Sequence, residues 1–500
     1  MNPSRSLLVI GLLVAHAASA APDLIIANVR IVDVTQGVVT APADVSIEHG
    51  RISAISPVAD AERDVPRIEA AGAFLAPGYW DMHVHLNHPT LAERWALPLF
   101  LASGVVAVRD MAGDCLTPGC KNNIKFMRDL QRRIDTNVIL GPRIVAISSA
   151  IVNGPRAAEP GDPAWATPAT YEQGRALARR MKARGVDFIK PYDTLPRDAY
   201  FGMMDEARRL GLPVSGHIPH AVSTLEALAA GQRGIEHAKH PAVDCSRFSR
   251  TFRDVVASWT AGDSPRIYRS WADPARGDEN LGSFYPLMLA TFDASICQNV
   301  IAGMASSSSY YIPTLITRKF EAFGDDVDFL DDSRLRLVPA SIRSAWQKDS
   351  ANFQRRFQDP QEKRSYVDFY ELAMRLVGQA HEAGVHMLVG TDSSDSYCFP
   401  GSGFHDELKE LSRAGLSNQA ILFAATAAAA QYMGQADRVG TVSVGKQAEL
   451  VLLDANPLED IANAARIRAV IRNGKVLDAK MLSDLEANVA RFVAEPESQN

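Results

Sequence analysis

Hydrophobic and polar positions along the chain fall into two textures. Residues 23–74 read LIIANVRIVDV, ADVSIEHGRISAI and RIEAAGAFLAPG, short β-branched runs with alternating apolar and polar positions and Gly50 at a turn. Alternation with period two predicts strands that bury one face. The chain closes in the same way, with VGTVSVGKQAELVLLD and then IRAVIRNGKVL, where Asn473-Gly474 marks a hairpin. Two β segments at opposite ends, 21–75 and 436–480, are expected to pair into one small discontinuous β-sandwich.

Between them the texture changes. The runs WDMHVHL, VVAVRDM, RIVAIS, DFIKPY, PVSGHI, GIEHA, YIPTLIT and HMLVGTD alternate with amphipathic stretches such as YEQGRALARRMKARG and RDAYFGMMDEARRLG. Strands alternating with helices argue for βαβ units and a parallel sheet. Eight such strands over residues 76–435 predict an α/β fold, a (β/α)8 TIM-type barrel, rather than an open doubly wound sheet. Residues 241–309 and 318–368 are too long for βα connections of roughly 2 to 6 residues. They read as insertions, the second helical, forming a lid over the barrel mouth or an oligomer contact. Residues 481–500 are expected as a C-terminal tail.

Composition narrows the class. The 500 residues are 47% hydrophobic and 22% charged, a globular balance. The net charge is −6, with Lys and Arg spread along the chain, so nothing marks a nucleic-acid or anionic-membrane partner. The opening MNPSRSLLVIGLLVAHAASA has a basic start, an apolar run and a small-residue triplet, which predicts a secretory signal over residues 1–20. A periplasmic or secreted protein, with no membrane contact after cleavage, is the expectation. In that compartment disulfides are permitted, and Cys115 and Cys120, flanking a Leu-Thr-Pro-Gly turn, are the most plausible pair. Pairing among Cys245, Cys297 and Cys398 stays open, and the odd count leaves one thiol free or intermolecular.

The candidate chemistry sits at the ends of the barrel strands. His83 and His85 are two apart in a strand, so both imidazoles share a face. Alone, the pair reads equally well as two hydrogen-bonded polar histidines. His217 and His237, however, end later strands 20 residues apart, and Asp392 ends the last one. Imidazole and carboxylate are the ligands that zinc and similar cations prefer. Lys190 ends an apolar strand, where burial penalises its charge. It reads either as a buried lysine paired with a carboxylate, or as a neutral amine able to take up carbon dioxide as a carbamate. Tyr192 is a candidate substrate contact or a structural ring, and His220 a candidate pocket residue. His88, His240, His381 and His405 have weaker claims.

These segments, APGYWDMHVH, DFIKPY, SGHIP, GIEHA, HEAGVHMLVGTDS and the closing ELSRAGLSNQAILFAATAAAAQYMGQADRVGTVSVGKQAELVLLDANPLED, resemble the amidohydrolase superfamily. Within it the likeness is to the imidazolonepropionase-related branch, with its metal-dependent prolidases and N-acyl amino acid carboxypeptidases. The resemblance covers most of residues 23–478 outside the insertions. It implies two divalent metal ions, zinc foremost, with His83, His85 and Asp392 holding one, His217 and His237 the other, and carboxylated Lys190 bridging them. Imidazolonepropionase itself resembles a single-metal site without the lysine, so Lys190 argues against that activity.

The expectation is hydrolysis of an amide bond in a small molecule, a dipeptide or N-acyl amino acid, by a metal-activated hydroxide with Asp392 as general base and acid. Phosphotriesterase or lactonase activity at the same site is the alternative within enzymes. A non-catalytic scaffold is the alternative outside them, disfavoured because all six ligand positions are filled. A homo-oligomer is compatible with the insertions. A carboxylate-bearing substrate would need an Arg or Lys near the mouth, and the insertions offer too many to choose from.

Overall fold

The computed structural model describes residues 22–59, 65–86, 88–155, 158, 161–260 and 284–495. The expected signal segment therefore lies outside the described residues. Among the described residues no helix is long and apolar enough to cross a membrane.

The N-terminal segment supplies β1 (Leu24–Asp33), β2 (Val38–Val39), β3 (Ala43–Glu48), β4 (Arg51–Pro57), β5 (Arg67–Glu69) and β6 (Phe74–Pro77). The barrel strands follow as β7 (Tyr79–Val84), β8 (Val105–Asp110), β9 (Arg143–Val152), β10 (Phe188–Pro191), β11 (Ser215–Gly216), β12 (Gly234–Glu236), β13 (Tyr310–Ile312) and β14 (His386–Met387). The chain ends with β15 (Leu450–Leu453), β16 (Ile467–Arg472) and β17 (Lys475–Asp478).

The two chain ends do pair. One nine-stranded sheet runs β17-β16-β15-β6-β1-β3-β4, with β2 and β5 alongside β1. Its seam is the antiparallel pairing of β15 with β6, from Leu450 opposite Pro77 to Leu453 opposite Phe74. Ile26, Val29, Val45 and Ile47 from one end and Leu450, Leu452 and Ile471 from the other share one apolar core. Burial of that face explains the alternation seen in the sequence.

The barrel consists of two four-stranded parallel sheets, β7 to β10 and β11 to β14. Parallel bridges Ile189–Val214 and Val84–Ser393 join them at both seams and close the ring. Helices Tyr171–Arg184 and Arg197–Arg209 cross over as expected. The first starts at a capping box of Thr170 and Gln173 and stops at Gly185, whose φ of 83° suits glycine.

The seventh strand is shorter than the apolar run YIPTLIT suggests. It ends at Ile312, and Leu315–Phe323 is a helix. Pro313 lacks an N–H for the ladder, and Thr314 takes a φ of 43°, which turns the chain. The Glu407 carboxylate then accepts hydrogen bonds from the first helical amides, Leu315 N and Ile316 N, both at 2.9 Å.

Both insertions follow the C-terminal ends of barrel strands and are helical where described. Val243, Phe252, Tyr285, Cys297 and Ile301 from the first pack with Phe357 and Tyr366 from the second, and with Phe369 and Leu372 just beyond it, in a satellite core. The Cys245–Cys297 disulfide braces the first insertion, Cys115 pairs with Cys120 as expected, and Cys398 is a buried free thiol. Residues expected as a tail form helix Ala479–Ala494. Leu482 and Val489 are spaced to share one face, and both are buried against the main core.

Candidate metal centre

The barrel gathers side chains that are far apart in the chain. His83 lies in β7 with His85 one residue past its end, Lys190 lies in β10, and His217, His237 and Asp392 follow β11, β12 and β14. His83 Nε2 and His85 Nε2 approach Asp392 Oδ1 to 3.1 and 2.8 Å. The Lys190 amine is 3.4 Å from each of the same two ring nitrogens. His237 Nδ1 is 3.7 Å from Asp392 Oδ2, and its ring lies 4.8 Å from that of His83 and 4.4 Å from that of His217. All six predicted ligand positions thus surround one space at the C-terminal mouth.

Two of these residues reach the site through unusual backbone. His237 and Asp392 have φ of 68° and 61°, left-handed values that cost free energy outside glycine. Hydrogen bonds from His237 N to Ile312 O and from Asp392 N to His83 O, each 2.8 Å, hold them there.

Outer partners orient the imidazoles. Glu236 Oε2 lies 2.8 Å from His83 Nδ1, Asp193 Oδ1 lies 2.7 Å from His217 Nδ1, and Thr314 Oγ1 lies 2.7 Å from His237 Nδ1. A carboxylate only accepts, so His83 and His217 donate from Nδ1 and keep the Nε2 lone pair for a cation. Burial raises the Glu236 carboxyl, yet the charge of Arg109 and the hydrogen bond from His83 outweigh it and hold the group at about 2. Asp193 is buried too, and the charges of His220 and Lys239, followed by His217, keep it well below the ordinary carboxylate value.

The donor set fits divalent cations. Burial lowers His85 to about 4 and His217 to about 3, so both are neutral imidazoles at pH 7. Burial also lowers the Lys190 amine, the condition for a neutral nitrogen nucleophile. For His83, the Asp392 charge overcomes burial and favours a proton on the ring. His83, His237 and Asp392 place one donor atom each within 4.8 Å of one another, and so do Asp193, His217 and His240.

Tyr192 stacks over His217 with ring centroids 4.1 Å apart. His220 is buried, its Nε2 3.3 Å from Asp193 Oδ2 and its ring against His240 and Phe252. Asp193 is thus a shared acceptor for His217, Lys239 and His240, with His220 alongside. His405 bonds the Ser103 carbonyl, and His381 ends helix Pro360–Glu382. Glu236, Asp193, Arg109 and Lys239 were not singled out in the sequence. The signal for two of them was a charged residue set directly beside a predicted ligand or Tyr192 within a buried strand end: Glu236 before His237 and Asp193 after Tyr192.

A closed parallel barrel with histidines, a lysine and an aspartate gathered at its strand ends is an arrangement able to hold divalent cations. Residues 373–477 match the model of the amidohydrolase family. The structure is similar to a bottromycin amidohydrolase, at 25% identity over 94% of this chain and 90% of that one, with a TM-score of 0.70. It is also similar to a Xaa-Pro dipeptidase with methionine in its active site, at 19% identity over 91% of this chain and 100% of that one, with a TM-score of 0.62. An adenine deaminase of Listeria monocytogenes is 33% identical over 108 residues, 22% of this chain and 18% of the deaminase. The chain thus spans under a fifth of that curated relative. Residues 373–477 thus carry the sequence likeness to the amidohydrolase family, and the fold as a whole is similar to that of a bottromycin amidohydrolase.

Proposed function

We propose that this hydrolase cleaves the amide bond of a dipeptide or N-acyl amino acid at a binuclear metal centre, in a periplasmic or secreted setting. The observation that carries the reading is the placement of the Lys190 amine 3.4 Å from both His83 Nε2 and His85 Nε2, with Asp392 against the same two nitrogens. Carboxylation of Lys190 would turn that amine into an anionic oxygen donor beside His83 and His85, and the charge of Lys190 is felt at His217 and His237 as well. His83, His85 and Asp392 would hold one ion and His217 and His237 the other, with zinc the expected metal. When bound, the two ions supply Lewis acidity that acidifies water and polarises the scissile carbonyl.

The protein groups have their own tasks. Asp392 is ionised at neutral pH, because the charges of His83 and His237 outweigh its burial. It can accept the proton of the attacking water and return it to the departing amine. The Tyr192 hydroxyl, raised well above its ordinary value mainly by burial, stays a neutral donor for a substrate oxygen. Arg318, buried on the helix after β13, acts electrostatically on Tyr192, Asp392 and Asp395. Its guanidinium already pairs with Glu321, and we assign it as the cation for a substrate carboxylate.

The test is metal content per protomer together with turnover of dipeptides, N-acyl amino acids, phosphotriesters, lactones and adenine. Two ions and metal-dependent release of an amino acid support the reading. Turnover confined to a phosphotriester, a lactone or adenine would replace the substrate assignment, and a metal-free inert chain would overturn it.

A further inference from the structure

Behind the six ligand positions lie two carboxylates with parallel surroundings. Glu236 offers Oε2 to His83 Nδ1 at 2.8 Å, while Oε1 accepts from Arg109 Nη2 at 2.7 Å and from Ser215 Oγ at 2.9 Å. Asp193 offers Oδ1 to His217 Nδ1 at 2.7 Å and to His240 Nε2 at 3.2 Å. Its Oδ2 accepts from Lys239 Nζ at 2.9 Å, with His220 Nε2 at 3.3 Å. Each carboxylate therefore has one oxygen on a ligand histidine and the other pinned by a buried cation. Glu236, Arg109, Asp193 and Lys239 are exposed by 3% or less.

We propose that Glu236 with Arg109, and Asp193 with Lys239, are two independent positioning devices, each fixing the tautomer of one histidine and so controlling one of the two metal ions. The inference rests on the binuclear reading above. A histidine binds a cation through Nε2 only when its proton is on Nδ1, and a fixed acceptor at Nδ1 enforces that tautomer. The cation on the far oxygen matters because it decides which way an amide would lie. In Glu236→Gln, Arg109 and Ser215 both need an acceptor, so the amide oxygen stays with them and the NH2 faces His83 Nδ1. In Asp193→Asn, Lys239 holds the amide oxygen in the same manner and the NH2 faces His217. In both variants the imidazole proton is driven to Nε2, into the metal position.

The device makes an unusual prediction for double variants. Removing the pin frees the amide to turn its oxygen back to the histidine. Asp193→Asn with Lys239→Met should therefore bind metal more tightly than Asp193→Asn alone, although it carries one more change in a buried network. A role in packing alone would make the double variant worse.

The experiment uses the full mature chain stripped of metal and titrated with Zn2+ against a chromophoric chelator, with metal counted by elemental analysis and the melting of each apo form recorded. Wild type should take up two ions. Glu236→Gln and Asp193→Asn should each weaken one ion by roughly 10- to 100-fold and leave the other near its wild-type affinity. In a His83→Ala background Glu236→Gln should add nothing, whereas in a His217→Ala background it should still weaken the remaining ion. Recovery in the Asp193→Asn, Lys239→Met chain, with apo melting unchanged or lower, completes the expected result. Variants that bind both ions as wild type does, or a double variant weaker than the single, would overturn the positioning assignment alone. A wild-type chain that takes up no Zn2+ would overturn the binuclear reading and this inference with it.

Discussion

His83 Nε2 and Asp392 Oδ1 meet at 3.1 Å, joining the first barrel strand to the loop that follows the last. The contact spans the seam at which the barrel closes, beside the Val84–Ser393 bridge. The barrel seam and the candidate metal centre therefore share residues, and damage to either should register in the other.

On the proposed binuclear reading, Lys190→Ala should reduce bound metal from two ions toward one or none and lower turnover by at least roughly 100-fold, since the proposed shared ligand and its field would both be lost. Short carboxylic acids should restore part of the activity by placing an anionic oxygen in the vacated space. Metal analysis and rescue kinetics check this, and full activity in the variant would exclude the bridging role.

Glu407 is buried and accepts the first two amides of helix Leu315–Phe323. Glu407→Ala orphans both, at a cost of about 2–5 kcal/mol by the usual penalty for unsatisfied buried donors. That helix follows Thr314, the partner of His237, and carries Arg318. KM for a carboxylate-bearing substrate should rise along with the loss in urea stability.

Loss of the Cys245–Cys297 bond should loosen the satellite core shared by the insertions. The bridge closes a sequence separation of 52 residues, so Cys245→Ser with Cys297→Ser should destabilise that region by about 2–4 kcal/mol. Proteolysis rates within residues 241–309, compared with and without the bond, measure it. Equal cleavage would show that the helices hold without the disulfide.

Acid stability offers a check on sign. The hydrogen bond from Arg197 is the largest influence on Glu226, outweighing its partial burial and holding the carboxyl at about 2, below the ordinary 4.5. A depressed folded value means stabilisation that is complete above pH 4.5 and lost as pH falls toward 2. Glu226→Gln should therefore have a lower urea midpoint than wild type at pH 7, with the difference shrinking between pH 4.5 and 3. A difference independent of pH would refute the linkage.

The candidate site was legible to different depths. His83 and His85 could be read because a spacing of two on a strand puts both rings on one face. His217 and Asp392 could be read because each ends an apolar run, and strand ends meet at the barrel mouth. Glu236 was hidden by the same rule. It points inward with Arg109 and His83 as its contacts, so alternation should send its neighbour His237 outward. The left-handed φ of 68° at His237 reverses that direction, and both face the site. Asp193 was hidden because its partners come from three later positions, His217, Lys239 and His240.

The sequence by itself determined the elements and their class. Period-two runs at both ends, eight apolar strands between amphipathic helices, and chemistry-bearing residues at strand ends follow from local geometry, which a single chain segment carries within itself. Only the tertiary structure decided where β13 stops, that the last residues dock as a helix, that Cys245 pairs with Cys297, and which carboxylate serves which histidine. Those outcomes depend on groups distant in the chain competing for one buried space. There, burial makes each unpartnered polar atom costly, and the pairings that satisfy the most of them prevail.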